Sequence, residues 1–480
     1  MSVLKWLFGW LDERAGIRWL LDALLERKVP RGVGWLHTLG SATLFLLALQ
    51  VVTGVALSLY YVPTPDHAYE SLKYITQTVP FGAFLRGLHR WGASLIVVVA
   101  VLHLVRVFFM GAYKYPRDLT WAIGILLLGA IFGLGFTGYL LPWDNRAYWA
   151  TVVGTSIVES WPVIGGFAAR ILRVGTDVGI RTLIRFYNLH TFVLPAFLGW
   201  LTLAHLYLVI RQGIAPPPAK EVASAKGMRV SRSTSRATDL REAYRQEVEE
   251  KQRTGIQFYE ALWKDGVMAL ALFTLLAAMA LFLEIPTEKV ADPSDVNYLP
   301  RPEWYFLFLY ELLWYFKGPW MVVGTFVIPA VLFAVLLLVP WLDRRPERHP
   351  LRRPLASSVA AAGIAAAGYL TYLGATAPLA PGATPAGLPP AGTAVSVVTT
   401  PEAGKLIYEA QGCSACHAIR GQGGAAGPDL SQVGRTRDAN WLARFTRDPE
   451  AVKPGSPMPP YKNLSEAELQ AIAAYLASLK

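Results

Sequence analysis

The chain has 480 residues, 53% of them hydrophobic, 16 tryptophans, a positive mean hydropathy and a formal charge of +11. That is too apolar for a soluble protein of this length, so it reads as an integral membrane protein. The positive charge falls mostly in segments between apolar runs, where it serves topology and needs no nucleic acid to explain it.

The first thirty residues, MSVLKWLFGWLDERAGIRWLLDALLERKVP, mix Trp and Leu with Arg, Lys and Asp at helical spacing, without the unbroken apolar core of a signal peptide. They predict an amphipathic helix (1–30) lying against membrane lipids. Runs long enough to cross about 30 Å of hydrocarbon follow at about 38–61, 86–110, 121–141, 189–211, 264–284, 320–342 and 354–374. Seven spans predict an all-α polytopic bundle. Four basic segments fall on one side if the spans alternate: the N-terminus, the loop with Lys114 and Arg117, the stretch from Arg211 to Lys264, and DRRPERHPLRR. That side is expected to be the cytoplasm of a bacterial cell. The loop 142–188 disagrees, facing outward with Arg146, Arg170, Arg173, Arg181 and Arg185, but longer loops obey the charge rule weakly.

In the second span, HRWGASLIVVVAVLH carries His89 and His103 fourteen residues apart, which on an α-helix is about 21 Å and within ~40° of one direction. His190 and His205 repeat the device on the fourth span, about 22 Å and ~60° apart. Both spans run inward, so His89 pairs in depth with His190 near the outer face, and His103 with His205 near the inner face. Two such pairs suit two six-coordinate haems stacked across the membrane, although buried histidines also occur as ordinary polar residues between helices. Gly40 and Gly54 on the first span, and Gly124 and Gly138 on the third, are also fourteen apart, leaving room at each depth for a flat macrocycle.

After the last span comes an uncharged Pro, Ala, Gly and Thr stretch (376–400), which predicts a flexible tether. Then QGCSACHAIRG supplies Cys413, Cys416 and His417, the C-x-x-C-H pattern that attaches haem c by two thioethers. A disulfide or half of a zinc site could use the same cysteines, but zinc would want further thiolates, and the sequence has none. GPDL at 427–430 and GSPMPPY at 455–461 resemble a class I cytochrome c (401–480), with Met458 as the second axial ligand of iron or else a core residue.

Residues 20–375, with HRW…H, NLH…H, TGYLLPWD at 137–144 and PEWY at 302–305, resemble cytochrome b of the cytochrome bc and bf quinol oxidases. The fifteen-residue histidine step and the three spans after the fourth look like the chloroplast-type form, with its two chains fused here. Its organisation is then a four-helix diheme domain (31–213), a linker with a charged helix (214–262) and a three-helix domain (263–375). The resemblance implies two non-covalent haems b beside the one haem c, and a quinol pocket where Glu303 accepts a proton, shaped by Tyr305, Pro142, Trp143, Pro302 and Trp304. RPEWYF could equally anchor the chain at the headgroups. Arg86 and Arg90 resemble the partners of haem propionates, and snorkelling arginines would look the same. The chloroplast-type relatives place a cysteine where VPRGVGWLHTLG has Thr38, so a third, tethered haem in the membrane is not expected, and His37 beside it reads as an interfacial polar residue.

The implied activity is quinol:cytochrome c oxidoreduction, splitting the electrons of quinol between a Rieske 2Fe–2S protein with the c haem and the two b haems, with charge moved across the membrane. The expected partners are that Rieske protein, a soluble or membrane cytochrome c or terminal oxidase, and a second copy in a homodimeric complex. A diheme anchor passing electrons between a dehydrogenase and quinone is the alternative.

Overall fold

The computed structural model describes residues 3–218, 239–377 and 401–480, apart from 296, 297, 299, 317, 412, 416, 425, 426, 455, 457, 459, 462, 463 and 465. It divides into two compact units, one of Met1–Asp295 with Pro300–Ala375, the other built on the C-terminal region from Thr376. Most of the tether and residues 219–238 of the linker lie outside the described residues.

Each expected span is a helix long and apolar enough to cross a membrane: Leu39–Ser58, Gly82–Phe109, Asp118–Tyr139, Ile180–Gln212, Phe258–Phe282, Val323–Leu342 and Pro354–Thr376. They are apolar nearly all round, so the inward side chains form a core while others, such as Trp200 at 74% and Phe282 at 82% exposure, point toward lipid. Leu46, Ile96, Ile131, Leu198 and Leu276, from the first five spans, meet there with Tyr305. The fourth and sixth spans each contain a π turn, Leu189–Val193 and Val323–Val327. In both, a proline follows two residues later, Pro195 and Pro329. Proline has no N–H for the ladder, and the wider turn absorbs the break.

The N-terminal segment, expected as one surface helix, is two helices, Val3–Ala15 and Ile17–Leu25, parted by Gly16 at φ 61°. Glycine takes that left-handed conformation without steric cost.

The four basic segments meet on one face of the bundle. Their organiser is the charged helix of the linker, Leu240–Thr254, started by Asp239, whose carboxylate accepts the Glu242 N–H at 2.8 Å. Its Glu247 binds Arg117 of the second-to-third loop and Arg348 of the sixth-to-seventh loop, and Lys28 and Val29 pair with Gln257 and Ile256 as short antiparallel strands. Nearby, Asp343 takes Lys114 and the buried Arg353, both at 2.8 Å. Removing a partner from such enclosed ions is costly, so these contacts lock the loops together. The opposite face is closed by the acidic loop after the fifth span, where Ala291 N–H reaches the Trp143 carbonyl at 3.0 Å and Arg146 pairs with Glu288.

In the C-terminal unit, helices Pro401–Ala410 and Glu466–Ser478 cross at Gly404. A Cβ there would lie 1.9 Å from the Ala471 carbonyl oxygen, so only glycine permits the crossing. Tyr408, Leu442, Leu469, Ile472 and Leu476 fill the core around buried Cys413.

Candidate functional site: two histidine pairs, a carboxylate and a C-terminal histidine

The second and fourth spans bring the histidines together in two layers. His89 and His190 have ring centroids 6.2 Å apart with planes at 79°. Imidazole–metal bonds are about 2.0–2.1 Å and a ring nitrogen lies about 1.1 Å from its centroid, so two rings sharing one metal would stand about 6 Å apart. Each candidate glycine faces one ring. A Cβ on Gly54 would lie 3.2 Å from His89 Cε1, on Gly138 2.5 Å from His190, on Gly40 3.2 Å from His103 and on Gly124 3.5 Å from His205. The room the glycines leave is therefore taken first by the imidazoles.

Hydrogen bonds orient the first pair. Thr53 Oγ1 donates its single proton to the Leu49 carbonyl at 2.7 Å, so at 3.0 Å from His89 Nδ1 it can only accept. His190 Nδ1 faces the Leu134 carbonyl at 3.0 Å, again an acceptor. Both rings thus carry their proton on Nδ1 and present the Nε2 lone pair, the form that binds a metal. The Nδ1 atoms of His103 and His205 are buried without a partner of normal geometry. Arg106, one turn beyond His103, has buried Nε and Nη2 atoms with no partner. The sequence reading missed it, although an arginine one turn from such a histidine was visible. The residues fit haem: paired Nε2 donors, glycines against the rings, and an unpaired cation for a propionate.

Glu303 is held by Arg90, whose Nη2 donates to both carboxylate oxygens at 2.8 Å. Its side chain is only 9% exposed. Arg86, the other expected propionate partner, donates to Thr76 and Thr287 at 3.0 and 2.9 Å. The two arginines are therefore engaged by protein groups. Tyr305 is buried against the third span, where a Cβ on Gly135 would lie 2.8 Å from its hydroxyl, while Trp304 stays exposed. Pro302 is half-buried, and the Tyr139 hydroxyl donates to the neighbouring Arg301 carbonyl at 3.3 Å, tying this segment to the turn that leads to Pro142 and Trp143. Trp143 is buried with φ 51°, a costly conformation for a bulky residue and one that often marks a working site.

In the C-terminal unit, His417 Nδ1 donates to the Pro428 carbonyl at 2.8 Å, so it too presents Nε2. A Cβ on Gly427 would stand 2.5 Å from its Cε1. Cys413 is buried, with its carbonyl accepting the His417 N–H at 3.0 Å; Met458 is half-buried, and Cys416 lies outside the described residues. This donor set fits a covalently attached haem, as a turn carrying thiol and imidazole within one C-x-x-C-H motif.

Family models match in three places: cytochrome b/b6/petB over residues 24–213, cytochrome b(C-terminal)/b6/petD over 286–387, and cytochrome c over 401–480. The menaquinol:cytochrome c reductase cytochrome b subunit of Bacillus subtilis (strain 168) is 43% identical over 223 residues, which are 45% of this chain and 100% of that protein. Cytochrome b6 of Emiliania huxleyi is 41% identical over 210 residues, 44% of this chain and 98% of its own length. A chain of a hyperthermophilic respiratory complex III aligns with a TM-score of 0.65 at 28% identity, covering 77% of this chain and 91% of that one.

Proposed function

The chain belongs to the cytochrome b/b6 family and carries a cytochrome c domain, and from that membership we propose that it splits the electrons of quinol between a Rieske protein with the c haem and the two b haems. It is the cytochrome b subunit of a quinol:cytochrome c oxidoreductase, a multi-pass membrane component of respiratory electron transport. The observation that carries the finer reading is the layered pair of histidines, with His89 and His190 spaced for one shared metal. Two haems b and one haem c would be held by His89 with His190, His103 with His205, and Cys413, Cys416, His417 and Met458. When bound, they supply one-electron carriers.

The chain's own residues handle the protons. Quinol oxidation releases two, and the Glu303 carboxylate is placed to accept one. Protonation cancels the charge that binds Arg90, so the neutral carboxyl group is free to leave the guanidinium and turn toward water. Deprotonation there restores the ion pair. Tyr305, Trp304, Pro302, Pro142 and Trp143 shape the pocket around this movement.

The face with the four basic segments is the cytoplasmic one by the positive-inside rule, which sets the cytochrome c domain on the outer side. Two arginines of the discordant loop support this, since Arg146 and Arg173 are paired with Glu288 and Glu159. In the proposed complex, a homodimer with its Rieske partner, the tethered domain delivers electrons to a cytochrome c or terminal oxidase. Pyridine haemochrome analysis of the purified complex should give a b-to-c ratio near two, with only the c haem surviving acid acetone. Glu303→Gln should slow quinol oxidation by about 10²–10⁴-fold with haem spectra unchanged. Unaltered turnover in assembled complex would remove Glu303 from the proton path.

A further inference from the structure

His37 ends the short turn Trp35–His37 on the basic face, just before the first span and three residues ahead of Gly40, which faces His103. An interfacial polar residue would have its nitrogens in water or on neighbours. Nδ1 does so, accepting the Gly34 N–H at 3.1 Å, but Nε2 does not. An accepting nitrogen carries no proton, so the neutral ring carries it on Nε2, the reverse of His89, His190 and His417. That tautomer donates a hydrogen bond and does not bind iron.

That donor has no partner of normal geometry. Nε2 is buried and makes no hydrogen bond of normal geometry, although the Ala215 backbone lies close enough to the ring to favour its proton. Burial first, then the nearby cation of Arg106, holds the ring neutral, its pKa pushed down to about 4. Arg348, also in range, is engaged by Glu247 and the Pro216 carbonyl, whereas Arg106 has its two unpartnered nitrogens. Beside the ring is a cavity of about 30 Å³, lined also by Thr38, Lys264 and Asp265, room for one oxygen atom. Asp265 is turned to the Ser41 hydroxyl at 2.5 Å. A buried donor among cations, next to an oxygen-sized space, is built for an acceptor that becomes negative.

We propose that His37 donates a hydrogen bond to a carbonyl oxygen of the quinone reduced at this face, with the through-space field of the nearby arginines favouring the charge that oxygen gains. The assignment rests on the proposed function, carried one step on: the electron sent to the b haems crosses from the His89–His190 layer to the His103–His205 layer and reduces a quinone at a second site on the basic face. Reduction takes two electrons, from quinol oxidised at the opposite face, and two protons, from water. His37 keeps its proton, because losing it from the neutral ring would leave an imidazolate.

The test uses the purified complex, with the Glu303 site blocked by a quinol-oxidation inhibitor, titrated with a short-chain naphthoquinone labelled with ¹³C at its carbonyls. In infrared difference spectra, one carbonyl band should be lowered by hydrogen bonding. His37→Phe should abolish that lowering and weaken binding about tenfold, the loss of one hydrogen bond, with b-haem spectra unchanged. His37→Gln, which keeps a donor, should restore part of both. Unchanged band and affinity in His37→Phe would overturn the assignment while leaving the second quinone site standing. Intact quinone binding with a changed pH dependence of the haem potential at His103 and His205 would also overturn it, giving the hydrogen bond to a haem carboxylate. No saturable binding in the wild-type complex would overturn the two-site reading and this assignment together.

Discussion

The two histidine layers have the same spacing in sequence and different support in space. His89 and His190 are steered by hydrogen bonds from their Nδ1 atoms, and the cation beside them, Arg90, is committed to Glu303. His103 and His205 have no such bonds of normal geometry, and beside them Arg106 has two buried nitrogens without a partner. Packing does most to set the second layer, whereas a hydrogen-bonded network sets the first. Second contacts of this kind fix ring orientation and ligand basicity, so the layers should differ in how they respond to change.

The largest effect sharpens the assignment of layers. His190→Ala should remove one b haem and His205→Ala the other, each leaving the c haem in its separate domain; redox titration of the b bands would check it. Loss of the same haem in both variants would break the pairing. The next effect contrasts the glycines. A Cβ on Gly138 would fall 2.5 Å from His190, but one on Gly124 falls at an ordinary 3.5 Å from His205. Gly138→Ala should therefore cost about 1–3 kcal/mol of overpacking and deplete the haem of that layer, while Gly124→Ala leaves haem content unchanged.

A smaller effect probes the hydrogen bonds themselves. Thr53→Val keeps the shape but deletes the acceptor at His89 Nδ1, a change of about 0.5–1.5 kcal/mol, or about 20–65 mV for a one-electron couple. Only the His89–His190 haem should shift, seen as separation of the two b midpoints. Equal shifts in both haems would mean that the layers are coupled and that the contrast is not local. Arg106→Gln should do the converse, lowering the potential of the His103–His205 haem by tens of millivolts through loss of a buried positive charge.

Much of this was legible in the sequence because hydrocarbon is an unforgiving solvent. A helix that must bury about twenty residues in lipid announces its position, and an imidazole inside it stands out. The fourteen- and fifteen-residue steps gave depth, since helical rise is constant. What stayed hidden depended on neighbours far along the chain. Arg90 and Glu303 are 213 positions apart, so no local pattern showed that Glu303, the proposed proton acceptor, rests in an ion pair. The charged helix at 240–254 read as part of a linker, because only the fold shows Glu247 joining two distant loops. His37 read as an interfacial residue for the same reason.

By itself, then, the sequence determined the spans, their alternation, the pairing of histidines by depth, and a C-x-x-C-H domain after the last span, all of which follow from periodicity and composition. The tertiary structure decided which nitrogen of each ring carries the proton. That choice is made by whether the group opposite Nδ1 is a donor, as at Gly34, or an acceptor, as at Leu134 and Pro428. A hydrogen bond is directional and short, and only folding brings its two ends within reach.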